Sequence, residues 1–384
     1  MQNIRHKILI GIILLIICLR PGLVIYGKKD AYFSRSYYSQ FSELKRMYGS
    51  SQYSVKNSKV ILTDEAVESY LAGAFLQGKD PILFIHDHPP LGKYILSLSI
   101  LLFDNVSTII IPIFCVSLLG VYLLSKKVIK HTVLALIPVV IFSNEPLMMV
   151  KLMTPPIPEL VQLPFILFSF YCFLRFLESK KHKYAWSFST ALFLGATIST
   201  RFFITGAVIT ASFILFLLLV KRMKELFIFA VLLPASLVAL FFSYTKTVLD
   251  THSVIKPFSV QKYILTYHES KFIQLFTVWD LLLFNRWHTW WAGNKISFDV
   301  NWIPVWPVSV LLSFVLGALA VLKKIKLSDP EYVFLIWVVF YGLTLSTGYT
   351  SVRYFLPWLP FFYILAISLL FRAITVLTRV YNSR

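Results

Sequence analysis

The sequence predicts an all-α integral membrane protein with about ten transmembrane helices, and three observations carry that prediction. Of its 384 residues, 57% are hydrophobic and only 14% charged, and the mean hydropathy of +0.72 exceeds what a soluble domain can bury. Apolar runs close to the roughly 20 residues needed to cross a hydrocarbon core about 30 Å thick recur along the chain, separated by short charged clusters. The alternating dyads of a transmembrane barrel are absent, and helices satisfy their own backbone hydrogen bonds in lipid.

The basic clusters set the orientation. Lys126, Lys127 and Lys130, then Lys180, Lys181 and Lys183, then Lys221, Arg222 and Lys224, then Lys323, Lys324 and Lys326 fall between apolar runs with almost no acid among them. The positive-inside rule makes these cytoplasmic loops. Arg5 and Lys7 at the start and Arg372, Arg379 and Arg384 at the end belong with them, so both termini are expected in the cytoplasm. Threading the chain under that constraint gives spans at 8–26, 106–125, 131–144, 160–177, 184–199, 202–220, 225–245, 302–322, 331–347 and 354–371. The first span follows basic residues and leads into Arg20 and Pro21 without a small-residue cleavage site, the pattern of a retained signal anchor. The apolar stretch 94–103, YILSLSILLF, is too short to cross, and crossing would turn every later basic loop outward. It is expected to lie as a helix in the outer interface.

The chain reads as a single polytopic domain, 1–384, with two long outer loops at 27–93 and 246–301. The first holds nine Lys/Arg against seven Asp/Glu, a mixed charge unlike the basic cytoplasmic loops, and long polar loops on one face of a bundle are where function concentrates. No internal repeat is visible. The net charge of +19 is accounted for by the cytoplasmic clusters, so it does not point to nucleic acid. Cys18, Cys115 and Cys172 all sit inside apolar runs and imply neither a disulfide framework nor a zinc site.

Two segments of the first long loop stand out. Thr63-Asp64-Glu65 gives an acidic pair, and His86-Asp87-His88-Pro89-Pro90-Leu91-Gly92-Lys93-Tyr94 enters the interfacial helix. Taken alone, Asp64 and Glu65 read as ordinary solvated charges in a charged loop; the HPPLGK segment downstream is what turns the reading toward a site. His86 and His88 form an H-x-H without a defined third ligand, which suits structural or substrate-positioning histidines; a divalent metal is neither required nor excluded, and no other cofactor is implied. Farther along, Glu159 opens a span, Glu145 beside Pro146 is an alternative acid, and Arg201 and Arg353 stand at span ends, where long basic side chains also snorkel. Tyr267-His268 and Arg286-Trp287-His288-Thr289-Trp290-Trp291 fall in the second long loop, where tryptophans also form interfacial belts.

An acidic pair after the first span followed by HPPLGK resembles the protein O-mannosyltransferases and their bacterial and archaeal relatives, including the lipid A aminoarabinose transferases, within the GT-C glycosyltransferase fold. The resemblance continues with Glu159 at an acid of the second outer loop, Arg201 at a basic residue of a span's outer end, and Arg353-Tyr354 opening RYFLPWLPFF. It is looser around His288. The large soluble domains of some relatives have no counterpart here. The resemblance implies an inverting transfer of a hexose or pentose from a polyprenyl-phosphate sugar donor, at the non-cytoplasmic face of the bilayer, to a protein, glycan or lipid acceptor. On that reading Asp64 is the candidate base. Glu65 and Glu159 position acceptor or sugar, His86, His88, Pro89 and Lys93 shape the site with His288 and Tyr354 near it, and Arg201 and Arg353 hold the phosphate.

The chemistry needs these residue types. A carboxylate can take the proton of the acceptor hydroxyl. The leaving group is already a phosphate anion, so the second carboxylic acid that glycoside hydrolysis uses is unnecessary. What the phosphate needs is fixed positive charge, and guanidinium forks supply it bidentately. A transporter or flippase of lipid-linked sugars is the competing reading. Transporters usually show repeated halves and charges within spans, whereas the candidate charges here gather at span ends.

Overall fold

The computed structural model describes residues 2–83, 88–201, 203–269, 274–289, 295–348 and 350–382. Helix α1 (Gln2–Gly27) leads into α2 (Lys29–Phe33), α3 (Tyr37–Ser50), α4 (Asp64–Leu76) and α5 (Leu91–Phe103). The bundle proper follows: α6 (Ile110–Val128), α7 (Thr132–Ala135), α8 (Ile137–Ser143), α9 (Pro146–Met153), α10 (Pro158–Glu178), α11 (Lys183–Thr200), α12 (Ile204–Leu219), α13 (Met223–Leu232) and α14 (Ser236–Ser243). Then come α15 (Thr245–Thr251), α16 (Lys256–Glu269), α17 (Thr277–Phe284) and a short antiparallel hairpin, β1 (Trp287–Thr289) with β2 (Lys295–Ser297). The chain ends in α18 (Val305–Val321), α19 (Asp329–Ser346) and α20 (Leu359–Asn382).

Every span expected from the sequence coincides with a helix or a helix pair. Among the described residues, four stretches are long and apolar enough to cross a membrane alone: His6–Gly27, Ile110–Val128, Pro158–Glu178 and Met223–Ser243. The pair Thr132–Ser143 and Pro146–Met153, bent by 55°, makes a fifth. The bend falls at Asn144-Glu145-Pro146, where proline removes a helical donor. The remaining expected spans are the shorter apolar helices α12 and α18, the apolar part Leu359–Thr375 of α20, and α11 and α19 at 18 residues each. Helix α20 starts at Leu359 rather than near 354, because a 3₁₀ turn over Val352–Phe355 and Pro357 precede it, and Pro360 sits in its first turn, where a missing donor is tolerated.

Helix α10 is the centre. It is apolar on every side, which fits a helix surrounded by others, and its core side chains Phe170 and Phe173 meet Phe213, Trp337 and Phe361. In lipid the driving force for such contacts is close packing rather than exclusion of water, so small residues set how near the helices come. At Gly195 a Cβ would lie 2.3 Å from the Ser236 carbonyl oxygen, so α11 meets the start of α14 backbone to backbone. Glu145, at the bend, accepts hydrogen bonds from Trp306 Nε1 (2.9 Å) and the Tyr363 hydroxyl (2.6 Å), which ties α9 to α18 and α20. The bend also receives α1, whose Arg20 donates to the Asn144 carbonyl (2.7 Å).

The basic connections collect at one end of the bundle and pair there with acids. Lys127 meets Glu178, Lys183 meets Glu225 (2.6 Å), Arg222 meets Asp329 (2.6 Å) and Arg372 meets Glu331. The opposite end, where α10 begins and α11 finishes, carries α2–α5, the hairpin and the 3₁₀ turn.

Candidate functional site

The first turn of α4 presents the acidic pair. Thr63 caps the helix, its hydroxyl accepting from Ala66 N, and Asp64 and Glu65 occupy the first turn, where unpaired N–H groups and the helix dipole favour negative charge. Successive helical residues diverge by about 100°, and the two carboxylates part accordingly. Asp64, half exposed, hydrogen-bonds with Arg353 of the 3₁₀ turn. Glu65 lies 3.6 Å from Lys151 Nζ on α9.

Glu159 enters from the first turn of α10 and is 1% exposed. Its Oε1 lies 3.0 Å from Arg353 Nε and 3.2 Å from Arg201 Nη2, so one carboxylate is shared by two guanidinium groups. Arg201 is itself buried, at the residue that ends α11. The Tyr354 ring supports both: the Arg201 guanidinium carbon stands 4.5 Å from its centroid and that of Arg353 5.6 Å, a cation–π arrangement strengthened by burial. Neither Arg201 Nε nor Arg353 Nε makes an aligned hydrogen bond among the described residues. The ion pairs therefore neutralise charge while leaving directional donors unspent.

The HPPLGK segment braces this cluster. His88 and Pro89 are buried, and His88 is close enough to Glu159 to interact with it electrostatically. At Gly92 a Cβ would stand 3.1 Å from Thr200 Cγ2, so the start of α5 presses on the end of α11 next to Arg201. Lys93, 1% exposed, pairs with buried Glu68 of α4 at 3.1 Å, and Ser97 donates to the Ala72 carbonyl (2.8 Å). A buried pair of this kind holds α4 against α5 in one register, because breaking it strands a charge. Tyr94, half-buried and near the charge of Asp80, has its phenol pushed up to about 12. It remains a neutral packing residue.

Of the residues expected from the sequence, the fold brings together Asp64, His88, Glu159, Arg201, Arg353 and Tyr354, with Pro89 beside them, whereas Glu65 turns to Lys151 and Lys93 to Glu68. His86 lies outside the described residues, as do Trp290, Trp291 and the side chains of Tyr267 and His268. His288 is not drawn into the arginine cluster; its Nε2 faces Asp280 of α17 at 3.2 Å. Its neighbour Trp287 donates to the Thr350 carbonyl (2.9 Å), which anchors the hairpin just ahead of Arg353. Glu145 is taken up by Trp306 and Tyr363, so Glu159 is the acid that meets the arginines. Two partners escaped sequence reasoning, Lys151 and Glu68. The signal for Lys151 was a lone lysine in the apolar PLMMVKLM. Among the described residues no group of three or more His, Cys, Asp or Glu side chains could hold a metal ion.

Residues 87–246 match the model of the family described as dolichyl-phosphate-mannose-protein mannosyltransferase. That stretch contains HPPLGK, Glu159 and Arg201, whereas Asp64, Glu65, His288, Arg353 and Tyr354 lie outside it. No curated protein matches the sequence. Among solved structures, ArnT from Cupriavidus metallidurans in its apo state matches with a TM-score of 0.58 at 12% identity, over 81% of this chain and 55% of that one. The same protein bound to undecaprenyl phosphate matches with a TM-score of 0.59 at 14% identity, over 81% and 56%. The archaeal oligosaccharyltransferase AglB from Archaeoglobus fulgidus, in complex with an inhibitory peptide and a dolichol-phosphate, matches with a TM-score of 0.53 at 13% identity, over 91% and 52%. The fold is that of the GT-C membrane glycosyltransferases. The chain spans about half the length of the solved proteins it matches.

Proposed function

We propose that this GT-C chain is an inverting glycosyltransferase that moves a hexose or pentose from a polyprenyl-phosphate donor to an acceptor hydroxyl on the non-cytoplasmic membrane face. The observation that carries the reading is the pair of guanidinium groups on buried Glu159, with unspent N–H donors, beside the half-exposed carboxylate of Asp64. The donor is a phosphodiester that is an anion before transfer and leaves as the polyprenyl phosphate monoester, also an anion, and planar donor forks are the groups that recognise such phosphates. The family-model match and the solved neighbours with undecaprenyl phosphate or dolichol-phosphate support a lipid-phosphate donor.

In the proposed reaction the acceptor oxygen attacks the anomeric carbon as the bond to the phosphate oxygen breaks. The acceptor proton goes to Asp64, and the electron pair stays on the polyprenyl phosphate. In the resting structure the Asp64 carboxylate is occupied by its hydrogen bond with Arg353. When Arg353 turns toward the donor phosphate, that carboxylate is released from its hydrogen-bond partner and is free to receive the acceptor's hydroxyl. Donor arrival and base activation would then be one event. The charges stand at helix ends instead of mid-span, which favours an enzyme over a transporter.

The direct test incubates the purified chain in nanodiscs with a panel of radiolabelled polyprenyl-phosphate hexoses and pentoses and an extract of acceptors. Release of polyprenyl phosphate with the sugar on a hydroxyl, at inverted anomeric configuration, is the expected result. Movement of intact donor between leaflets without cleavage of the sugar–phosphate bond would overturn it. Mass spectrometry of glycans and glycolipids from cells with and without the gene product identifies the sugar and the acceptor.

A further inference from the structure

Glu65 faces a second compartment. A cavity of about 400 Å³, within the range of small-molecule sites, opens between α2, α3, the first turns of α4 and the turn that follows α5. Its largely apolar walls carry hydroxyl, amide and carboxylate groups, among them Gln40, Glu65, Ser69, Asp104, Asn105 and Ser107, and no lysine or arginine is among the described residues that line it. Those walls are fixed before any ligand arrives. The Tyr37 hydroxyl donates to the Ser69 carbonyl (2.5 Å), and the Asn105 amide donates to the carbonyls of Ala31 (3.0 Å) and Ser34 (2.9 Å). Asp104 accepts from Tyr38 N (2.9 Å), and Asn105 Oδ1 accepts from Ser107 N (2.7 Å).

The first turn of α4 thus separates two environments one residue apart. Asp64 closes the arginine side, and Glu65 closes the polar cavity. Their chemistry differs in kind: the first side offers cations to an anion, and the second offers neutral donors and acceptors with two carboxylates. Glu65 is balanced by Lys151 at 3.6 Å, but an anionic acceptor would still meet Asp104 with no cation to offset it among the described lining residues, and a lipid chain would bury the cavity's hydroxyl groups against hydrocarbon. A hydroxyl-bearing ring matches, because each of its hydroxyls both donates and accepts. The compact volume suits one ring rather than an extended peptide.

We propose that this cavity is an acceptor subsite, resting on the glycosyl-transfer reading above, and that it takes a neutral sugar residue of a glycan. Glu65 accepts a hydrogen bond from that sugar and directs another of its hydroxyls around the α4 terminus toward Asp64.

The test is saturation-transfer NMR on the purified full chain in nanodiscs, without donor, using a panel of neutral methyl hexo- and pentopyranosides as probes and a Ser/Thr-containing peptide beside them. Undecaprenyl-phosphate binding is measured on the same samples. Ala66→Phe puts a ring into the cavity, and Gln40→Trp, at an exposed position that tolerates substitution, covers its rim. A glycoside signal in the wild type that is lost in both variants, with undecaprenyl-phosphate binding retained, is expected. The proposal is overturned by no glycoside contact in the wild type, by glycoside signals that survive both variants, or by a peptide signal in place of the sugar signal. Wild-type undecaprenyl-phosphate binding without any glycoside contact removes this subsite and leaves the donor reading standing, whereas loss of undecaprenyl-phosphate binding counts against the donor reading itself.

Discussion

Glu159→Gln asks what the two arginines are for. The substitution keeps the size of a side chain that is 1% exposed and removes the negative charge that Arg201 and Arg353 share at 3.2 and 3.0 Å. At an effective dielectric of about 20, each contact is worth about 5 kcal/mol of Coulomb attraction, most of it offset by desolvation of the partners. Removing one member of a buried pair costs about 3–5 kcal/mol, because the other charge is left without compensation. Arg353 keeps Asp64 and has a quarter of its side chain exposed, so the lower end, about 3 kcal/mol, is expected here. The assay is thermal unfolding of the purified protein, empty, with undecaprenyl phosphate, and with the uncharged polyprenol of equal length. The empty variant should melt below wild type. The lipid phosphate should stabilise the variant more than it stabilises wild type, since its oxygens replace the missing carboxylate, with about a tenfold gain in affinity for each 1.4 kcal/mol recovered. An unchanged melting temperature would mean that the arginines do not depend on Glu159. A lowered one, answered equally by phosphate and polyprenol, would leave a structural ion pair and move the donor phosphate elsewhere.

Arg353→Lys keeps the charge but cannot bridge Asp64 and Glu159 or fork a phosphate, so undecaprenyl-phosphate affinity should fall about tenfold with the protein still folded; wild-type affinity would reduce Arg353 to a span-end residue. Asp64→Asn retains shape and hydrogen-bonding capacity but cannot take a proton, and sugar transfer should drop by about 10²–10⁴-fold at near wild-type yield. Glu65→Gln is its companion, and transfer at the wild-type rate in both variants would remove the base from the mechanism. With Cys18, Cys115 and Cys172 replaced by serine, Val60→Cys and Lys295→Cys should react with an impermeant thiol reagent applied to intact cells and Lys181→Cys should not. Labelling at 181 would put the arginine cluster on the cytoplasmic side.

What could be read from the chain divides by the range of the interaction. The spans were legible because a membrane helix carries its own signature: an apolar run of limited length between charged ends. The HPPLGK segment was legible for a similar local reason, since two prolines, a glycine that lets α5 press on Thr200, and a buried lysine fall within six residues. The helices α2, α3 and α4 inside the first long loop were not foreseen. Their apolar faces are short and interrupted, and tertiary packing of Tyr37, Tyr48 and Tyr70 holds them. Pairing is where local reading stops. Asp64 and Arg353 lie 289 positions apart, and nothing in either neighbourhood names the other. The same is true of Glu65 with Lys151.

One inference was nevertheless available. A charge in or beside an apolar helix is too costly to leave alone, so Glu68, Lys93, Lys151 and Glu159 each had to be half of something. Solving those halves together leaves Arg201 and Arg353 with more donors than their carboxylates use. In the proposed reaction the donor phosphate competes with Glu159 and Asp64 for these guanidinium groups, so its affinity reflects a difference between two sets of contacts. Strengthening the arginine–carboxylate pairs would therefore weaken donor binding, and a carboxylate moved away from the cluster would strengthen it while stripping the base of the partner that keeps it idle before the donor arrives.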